Sequence, residues 1–130
     1  MKKLLIYLVF VLSVLAIHSC GDDIVNNPDV VFPDSLVSYT NHVYPFMKQT
    51  CSMQGCHAEI NPQGNINLSD WHYLIVAYNG VMVIAGKPDA SLLVQMLEYT
   101  IPHDPLIYWN VSDNQVKGVR KWIAEGAKLN

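Results

Sequence analysis

The chain has 130 residues, of which 51% are hydrophobic and 15% are charged, and its formal net charge at pH 7 is −3. No run of basic residues occurs in it, which argues against nucleic acid as a partner. A chain of this length forms one small folded domain, near the size at which a single hydrophobic core is only just sufficient.

The first residues have the features of a secretory signal. Lys2 and Lys3 form a positive start, and an almost unbroken apolar run follows over residues 4–17, too short for a typical transmembrane span. The run ends in Ile17-His18-Ser19-Cys20, which resembles the bacterial lipobox, where a small residue precedes the cysteine that becomes lipidated. We therefore expect a lipoprotein signal peptide over residues 1–19 and lipid on Cys20. An ordinary signal peptide or an uncleaved anchor is the alternative.

Lipid on Cys20 would hold the chain on a membrane without spanning it. The expected location is extracytoplasmic, on a bacterial membrane, at the periplasmic face of the outer membrane or at the cell surface. Residues 20–33 are polar and interrupted by Asn and Pro, which predicts a tether, and the folded domain is predicted over residues 34–130. Loss of Lys2 and Lys3 with the signal leaves six basic and eleven acidic side chains, a net charge of −5.

The first predicted helix leads directly into Cys51. Asp34 or Ser35 is its expected cap. Pro45 is expected to kink or restart it. Its apolar positions recur at helical spacing: Leu36, Tyr39, Val43 and Met47.

Two more helices are predicted in the middle of the chain. Ser69 or Asp70 caps the second, over residues 71–78, and Asn79-Gly80 closes it. Asp89 caps the third, over residues 90–99. The apolar side of the third consists of Leu92, Leu93, Met96 and Leu97.

The fourth predicted helix begins at a capping box formed by Ser112 and Gln115, and Gly126 ends it. Its inward positions are Val116, Val119, Trp122 and Ile123. No sustained strand alternation occurs in the chain, so the pattern indicates an all-α fold of about four helices joined by long loops.

Between the first two helices lies Cys51-Ser52-Met53-Gln54-Gly55-Cys56-His57, which places two thiols and an imidazole on one short piece of backbone. The signature of c-type haem attachment is Cys-x-x-Cys-His, in which the thiols bond to the haem vinyl groups and the histidine lies under the iron. The Cys56-His57 step is the fixed part. Cys51 only has to reach the neighbouring vinyl group, so the extra residues can loop out. The stretch resembles the longer variant of some c-type cytochromes, with four residues between the cysteines.

Two other readings of this stretch stay open. In an oxidising compartment Cys51 and Cys56 could close a small disulfide loop, with His57 uninvolved. Alternatively Cys51, Cys56 and His57 could bind zinc, although no other cysteine is free to supply a fourth ligand. Because Cys20 is assigned to lipid, Cys51 and Cys56 form one pair, available to one haem or one disulfide.

Further landmarks agree with a known family in type and order. They are Val43-Tyr44-Pro45-Phe46, Pro62-Gln63-Gly64, Ala85-Gly86-Lys87-Pro88-Asp89-Ala90-Ser91-Leu92, Pro102 and Lys121-Trp122-Ile123-Ala124-Glu125-Gly126-Ala127. From about Ser38 to Asn130 the chain resembles the small cytochrome c domain of bacterial lipoproteins and of the planctomycete-type cytochrome c family.

The resemblance implies a small cytochrome c-like domain of about four helices around one covalently bound haem c. Cys51 and Cys56 would attach the haem, and His57 would be the proximal iron ligand. A loop carbonyl near Pro62 is expected to accept the Nδ1 proton of His57 and so orient the ring.

The distal ligand departs from the family pattern. A Met-Pro pair usually supplies it, and the matching residues here are Ile101 and Pro102. Isoleucine cannot bind iron, so the ligand is His103, or Met96 or Met82, or the position is open or holds water. His103 is preferred because it lies on the same loop. Two histidine ligands lower the reduction potential relative to histidine and methionine, whereas an open position binds small ligands.

The leading functional hypothesis is a membrane-anchored monohaem c-type cytochrome, an electron carrier rather than an enzyme, which exchanges single electrons with a redox donor and a redox acceptor protein. The first alternative is a haem-based sensor or catalyst with an open sixth position. The second is a haem-free lipoprotein with a Cys51–Cys56 disulfide and a role in binding or assembly.

Overall fold

The computed structural model describes residues 30–103 and 111–130. The predicted signal peptide, Cys20 and residues 21–29 of the predicted tether lie outside these ranges. Four α-helices and three shorter helical turns occur in the described residues, which contain no strand, so the predicted all-α class is confirmed there. No helix of residues 30–103 and 111–130 has the length and apolar character needed to cross a membrane.

The α-helices are α1 (Tyr44–Thr50), α2 (Trp71–Gly80), α3 (Leu92–Leu97) and α4 (Asp113–Ala124). A π-helical turn, Tyr39–Val43, leads into α1. Two 3₁₀ turns, Gln63–Asn65 and Pro88–Ala90, precede α2 and α3.

The first helical segment begins later than predicted. Ser38 is its cap, with a hydroxyl that accepts a hydrogen bond from the Asn41 amide at 3.2 Å, so the predicted cap at Asp34 or Ser35 is wrong. Leu36 is 85% exposed and has a φ of 55°, which an α-helix does not allow. The reason is tertiary: the Glu125 carboxylate beyond α4 accepts hydrogen bonds from the Leu36 and Val37 amides at 2.9 Å each.

Three of the four predicted apolar positions of this segment are buried. Tyr39, Val43 and Met47 lie in the core. Pro45 lies in the first turn of α1, where its missing N–H removes no helical hydrogen bond. The proline therefore marks the change from π-helix to α-helix.

Asp70 caps α2 as predicted, because its carboxylate accepts a hydrogen bond from the Tyr73 amide at 3.0 Å. The predicted start of α3 is wrong, since Asp89 belongs to a 3₁₀ turn and α3 begins at Leu92. The Asp89 carboxylate instead pairs with Arg120 of α4. The buried side of α3 is Leu93, Val94 and Leu97, with Leu92 and Met96 only partly buried.

Helix α4 agrees with its prediction most closely. The Ser112 hydroxyl accepts from the Gln115 amide and the Gln115 side chain accepts from the Ser112 amide, which is the capping box. Val119, Trp122 and Ile123 are at most 1% exposed and lie at the centre of the core. The helix ends before Gly126, whose φ is 102°.

Phe32, two residues before the predicted domain boundary at residue 34, packs against α4. Phe32 is 3% exposed, its amide donates to Asn114 Oδ1 at 2.8 Å, and its carbonyl accepts from Asn114 Nδ2 at 3.0 Å. Its ring lies against Gly118, where a Cβ would overlap the ring atoms. Phe32, which the sequence places in the tether, therefore packs on α4, because Gly118 leaves the space that its ring fills.

Candidate functional site

The loop from Cys51 to His57 continues directly from α1. The Cys51 amide donates to the Met47 carbonyl at 2.9 Å, so helical hydrogen bonding reaches the first cysteine. The Cys56 amide then donates to the Met53 carbonyl at 3.0 Å, which closes a turn. Gly55 has a φ of 86°, as the third residue of a type II turn requires. Residues 53–55 are exposed, so this turn between the cysteines protrudes into solvent, whereas Ser52 is buried.

Hydrogen bonds brace both ends of this loop. The His57 amide donates to the Cys51 carbonyl at 3.0 Å, which ties the histidine to the first cysteine. The Leu68 amide donates to the His57 carbonyl at 2.9 Å, and the Leu68 carbonyl accepts from the buried Ser52 hydroxyl at 2.5 Å. The cysteines and His57 are therefore held on one anchored piece of backbone.

His57 is oriented by a backbone carbonyl. Its Nδ1 lies 2.9 Å from the Ile66 carbonyl oxygen. A carbonyl only accepts hydrogen bonds, so Nδ1 carries the proton, and a neutral ring then has its lone pair on Nε2. This tautomer presents Nε2 as a ligand for a metal ion.

The orienting carbonyl, expected on the loop near Pro62, is that of Ile66, four residues after this proline. The 3₁₀ turn Gln63–Asn65 reverses the chain, with Gly64 and Asn65 at φ values of 65° and 59°. This reversal brings Ile66 back to the histidine ring. Sequence patterns missed the role of Ile66 because a carbonyl group is common to every residue and leaves no signal in the sequence.

His103 lies next to His57. The centroids of the two imidazole rings are 6.0 Å apart and the ring planes are inclined by 61°. His103 is partly exposed and is the last described residue before residues 104–110. The fold therefore brings together two of the histidines that the sequence singled out, although they are far apart in the chain.

The two candidate methionine ligands are packed side chains. Met82 is 2% exposed and belongs to the hydrophobic core, and Met96 packs from α3 against that core. Both side chains therefore have packing roles within the folded domain.

The two cysteines differ in exposure. Both have free thiols, with Cys51 buried and Cys56 partly buried. Burial raises the pKa of Cys51 to about 11; the Thr50 hydroxyl, 3.4 Å from its sulfur, acts in the opposite direction, and nearby Cys56 adds to the increase. At neutral pH Cys51 is therefore a protonated thiol.

These residues are chemically compatible with a covalently held haem. In a c-type haem site the thiols bond to the edge of the haem and the imidazole to the iron at its centre, so Cys51, Cys56 and His57 would not have to meet at one point. In the described parts of the chain no three His, Cys, Asp or Glu side chains are grouped as ligands of one metal ion. Cys51, Cys56 and His57 thus do not form a ready tetrahedral zinc site in this structure.

Comparisons with protein-family models, with curated proteins and with solved structures give no match to this chain. Its function is therefore inferred from the chemistry of the Cys51–His57 loop and its surroundings.

Proposed function

We propose that this chain is a c-type cytochrome domain that carries one covalently attached haem and passes single electrons outside the cytoplasm. The observation that carries the proposal is the hydrogen bond from His57 Nδ1 to the Ile66 carbonyl, in a braced loop that also holds Cys51 and Cys56. That bond selects the tautomer that an iron ligand needs. The cysteine pattern supplies the attachment points beside it.

Each residue of the loop has a distinct chemical role in this proposal. Cys51 and Cys56 would hold the haem through two thioether bonds, each made by addition of a thiol across a vinyl group, with sulfur on one vinyl carbon and the thiol hydrogen on the other. His57 Nε2 would bind the iron, and the hydrogen bond from Nδ1 to the Ile66 carbonyl would raise the basicity of the ring. The bound haem supplies a metal that gains and loses one electron.

The surroundings proposed for the domain follow from the start of the chain. Lipid on Cys20 would keep the domain at a bacterial membrane, with its partners a redox donor and a redox acceptor protein. The acidic balance of the chain is consistent with protein partners and gives no support to nucleic acid.

The test of haem attachment is a pyridine haemochrome spectrum of the protein produced with a c-type haem maturation system and then denatured to remove loose haem. We expect a c-type spectrum, and a Cys51–His57 peptide whose mass has increased by that of an entire haem. The Cys51→Ala, Cys56→Ala double variant should lose both signals. The His72→Ala variant is the matched control, because His72 is exposed on α2 and should leave both unchanged.

A colourless protein with an unmodified peptide would overturn this proposal. A peptide lighter by two hydrogens would then show the Cys51–Cys56 disulfide of the haem-free alternative. Attached haem in a five-coordinate, high-spin state would instead favour the sensor or catalyst with an open position.

A further inference from the structure

We infer that His103 binds the haem iron on the side opposite His57, which makes the iron six-coordinate with two histidine ligands. This inference rests on the proposed haem attachment and names the ligand that the altered Met-Pro position leaves unassigned. It is carried by the contact between the two imidazole rings.

The spacing of the rings matches two ligands of one metal ion. With metal–nitrogen bonds of about 2.0 Å, two imidazoles on opposite sides of one ion have ring centroids about 6 Å apart. The observed separation is 6.0 Å. The inclination of 61° between the planes is compatible, because each ring can rotate about its own bond to the metal.

Packing also separates His103 from the two methionines. Met82, at 2% exposure, is part of the hydrophobic core, and Met96 packs against that core. The His103 ring is partly exposed and lies beside the His57 ring.

Two nitrogen ligands have consequences for function. They close the sixth position to small molecules, which favours electron transfer over gas binding or catalysis. They also place the reduction potential below that of a haem with one histidine and one methionine ligand. The distal ligand therefore selects between the functional alternatives for this domain.

The experiment compares haem-loaded wild-type protein with His103→Ala, His103→Met and His72→Ala variants by electronic absorption, electron paramagnetic resonance and redox titration. We expect low-spin ferric iron in the wild type and in His72→Ala. His103→Ala should become high-spin, bind carbon monoxide in the ferrous state, and return to low-spin when imidazole is added. His103→Met should remain six-coordinate and titrate at a higher potential than the wild type.

Low-spin iron with an unchanged potential in His103→Ala would overturn the inference, as would high-spin iron in the wild type. If the His103 variants keep a c-type haemochrome spectrum, the proposed haem attachment is still supported even when the ligand assignment fails. A wild type without covalent haem would overturn both, so failure of the ligand and failure of the attachment are distinguishable. If His103→Ala does not fold, His103→Met decides the question, because an unchanged potential there also excludes His103.

Discussion

Cys51 and Cys56 differ in solvent exposure. We expect this difference to control the reactivity of the two thiols in the haem-free chain. The thiolate is the nucleophilic form of cysteine. Cys51 is 6% exposed, and burial raises its pKa to about 11. At pH 8 only about one thousandth of Cys51 is therefore ionised, whereas Cys56 is partly open to solvent.

We predict that iodoacetamide modifies Cys56 and spares Cys51 in the folded, haem-free protein at pH 8. Because the folded pKa of Cys51 is raised, its thiolate fraction and its modification rate should increase as the pH rises towards 11. Peptide mass spectrometry after timed quenching measures both sites and separates them from Cys20. In denaturant the two cysteines should react alike; equal rates in the folded protein would contradict the predicted burial of Cys51.

At the scale of elements, the contact between Phe32 and α4 depends on the absence of a side chain at Gly118. A Cβ at this position would overlap the Phe32 ring. We predict that Gly118→Ala lowers the free energy of unfolding by about 1–3 kcal/mol, the usual cost of overpacking. Urea denaturation of the variant and of the wild type, in the same haem state, measures the difference.

The matched control is Gly118→Ala in a chain that lacks the Phe32 ring. In a Phe32→Ala background the added methyl group meets no aromatic ring, and alanine stabilises a helix interior by roughly 0.5–1 kcal/mol relative to glycine. Gly118→Ala should therefore become neutral or stabilising in that background. An equal loss of stability in both backgrounds would show that the Phe32 contact is not the cause.

At the scale of the whole molecule, the segment just before Asp34 packs against α4. Asn114 of α4 hydrogen-bonds both backbone groups of Phe32, and the Gln115 side chain donates to the Val30 carbonyl at 3.4 Å. We predict that a chain starting at residue 34 is less stable than one starting at residue 30 by about 3–5 kcal/mol, as for loss of a buried phenylalanine. Since small domains have only about 5–15 kcal/mol in total, this is a large fraction of their stability.

The denaturant midpoints of the two truncated chains, measured with the same haem content, test this boundary. The chain from residue 30 should match a chain that starts at residue 20, because both keep Phe32 and its partners. Coincident midpoints for the chains from residues 30 and 34 would place Phe32 outside the cooperative unit.

Much of the local structure could be predicted from the sequence. The Ser112–Gln115 capping box, the Asp70 cap and the glycine after α4 all appear as expected. Each of these features is formed by residues a few positions apart. The sequence pattern alone therefore shows which side chains can make the stabilising hydrogen bonds. The same holds for the spacing of Cys51, Cys56 and His57, which identifies the candidate site without any knowledge of the fold.

Only the tertiary structure decided the features that join distant parts of the chain. Glu125 accepts hydrogen bonds from the Leu36 and Val37 amides, and Leu36 lies outside the first helix. Asp89 forms an ion pair with Arg120 and does not cap α3. His103 lies beside His57, although 46 positions separate them in the chain. The choice of Ile66 as the partner of His57 belongs to the same class, since a backbone carbonyl has no signature of its own. Sequence by itself therefore determined the helices and the chemistry available at the site. Folding decided which groups meet there, because contacts between distant residues depend on how the helices pack.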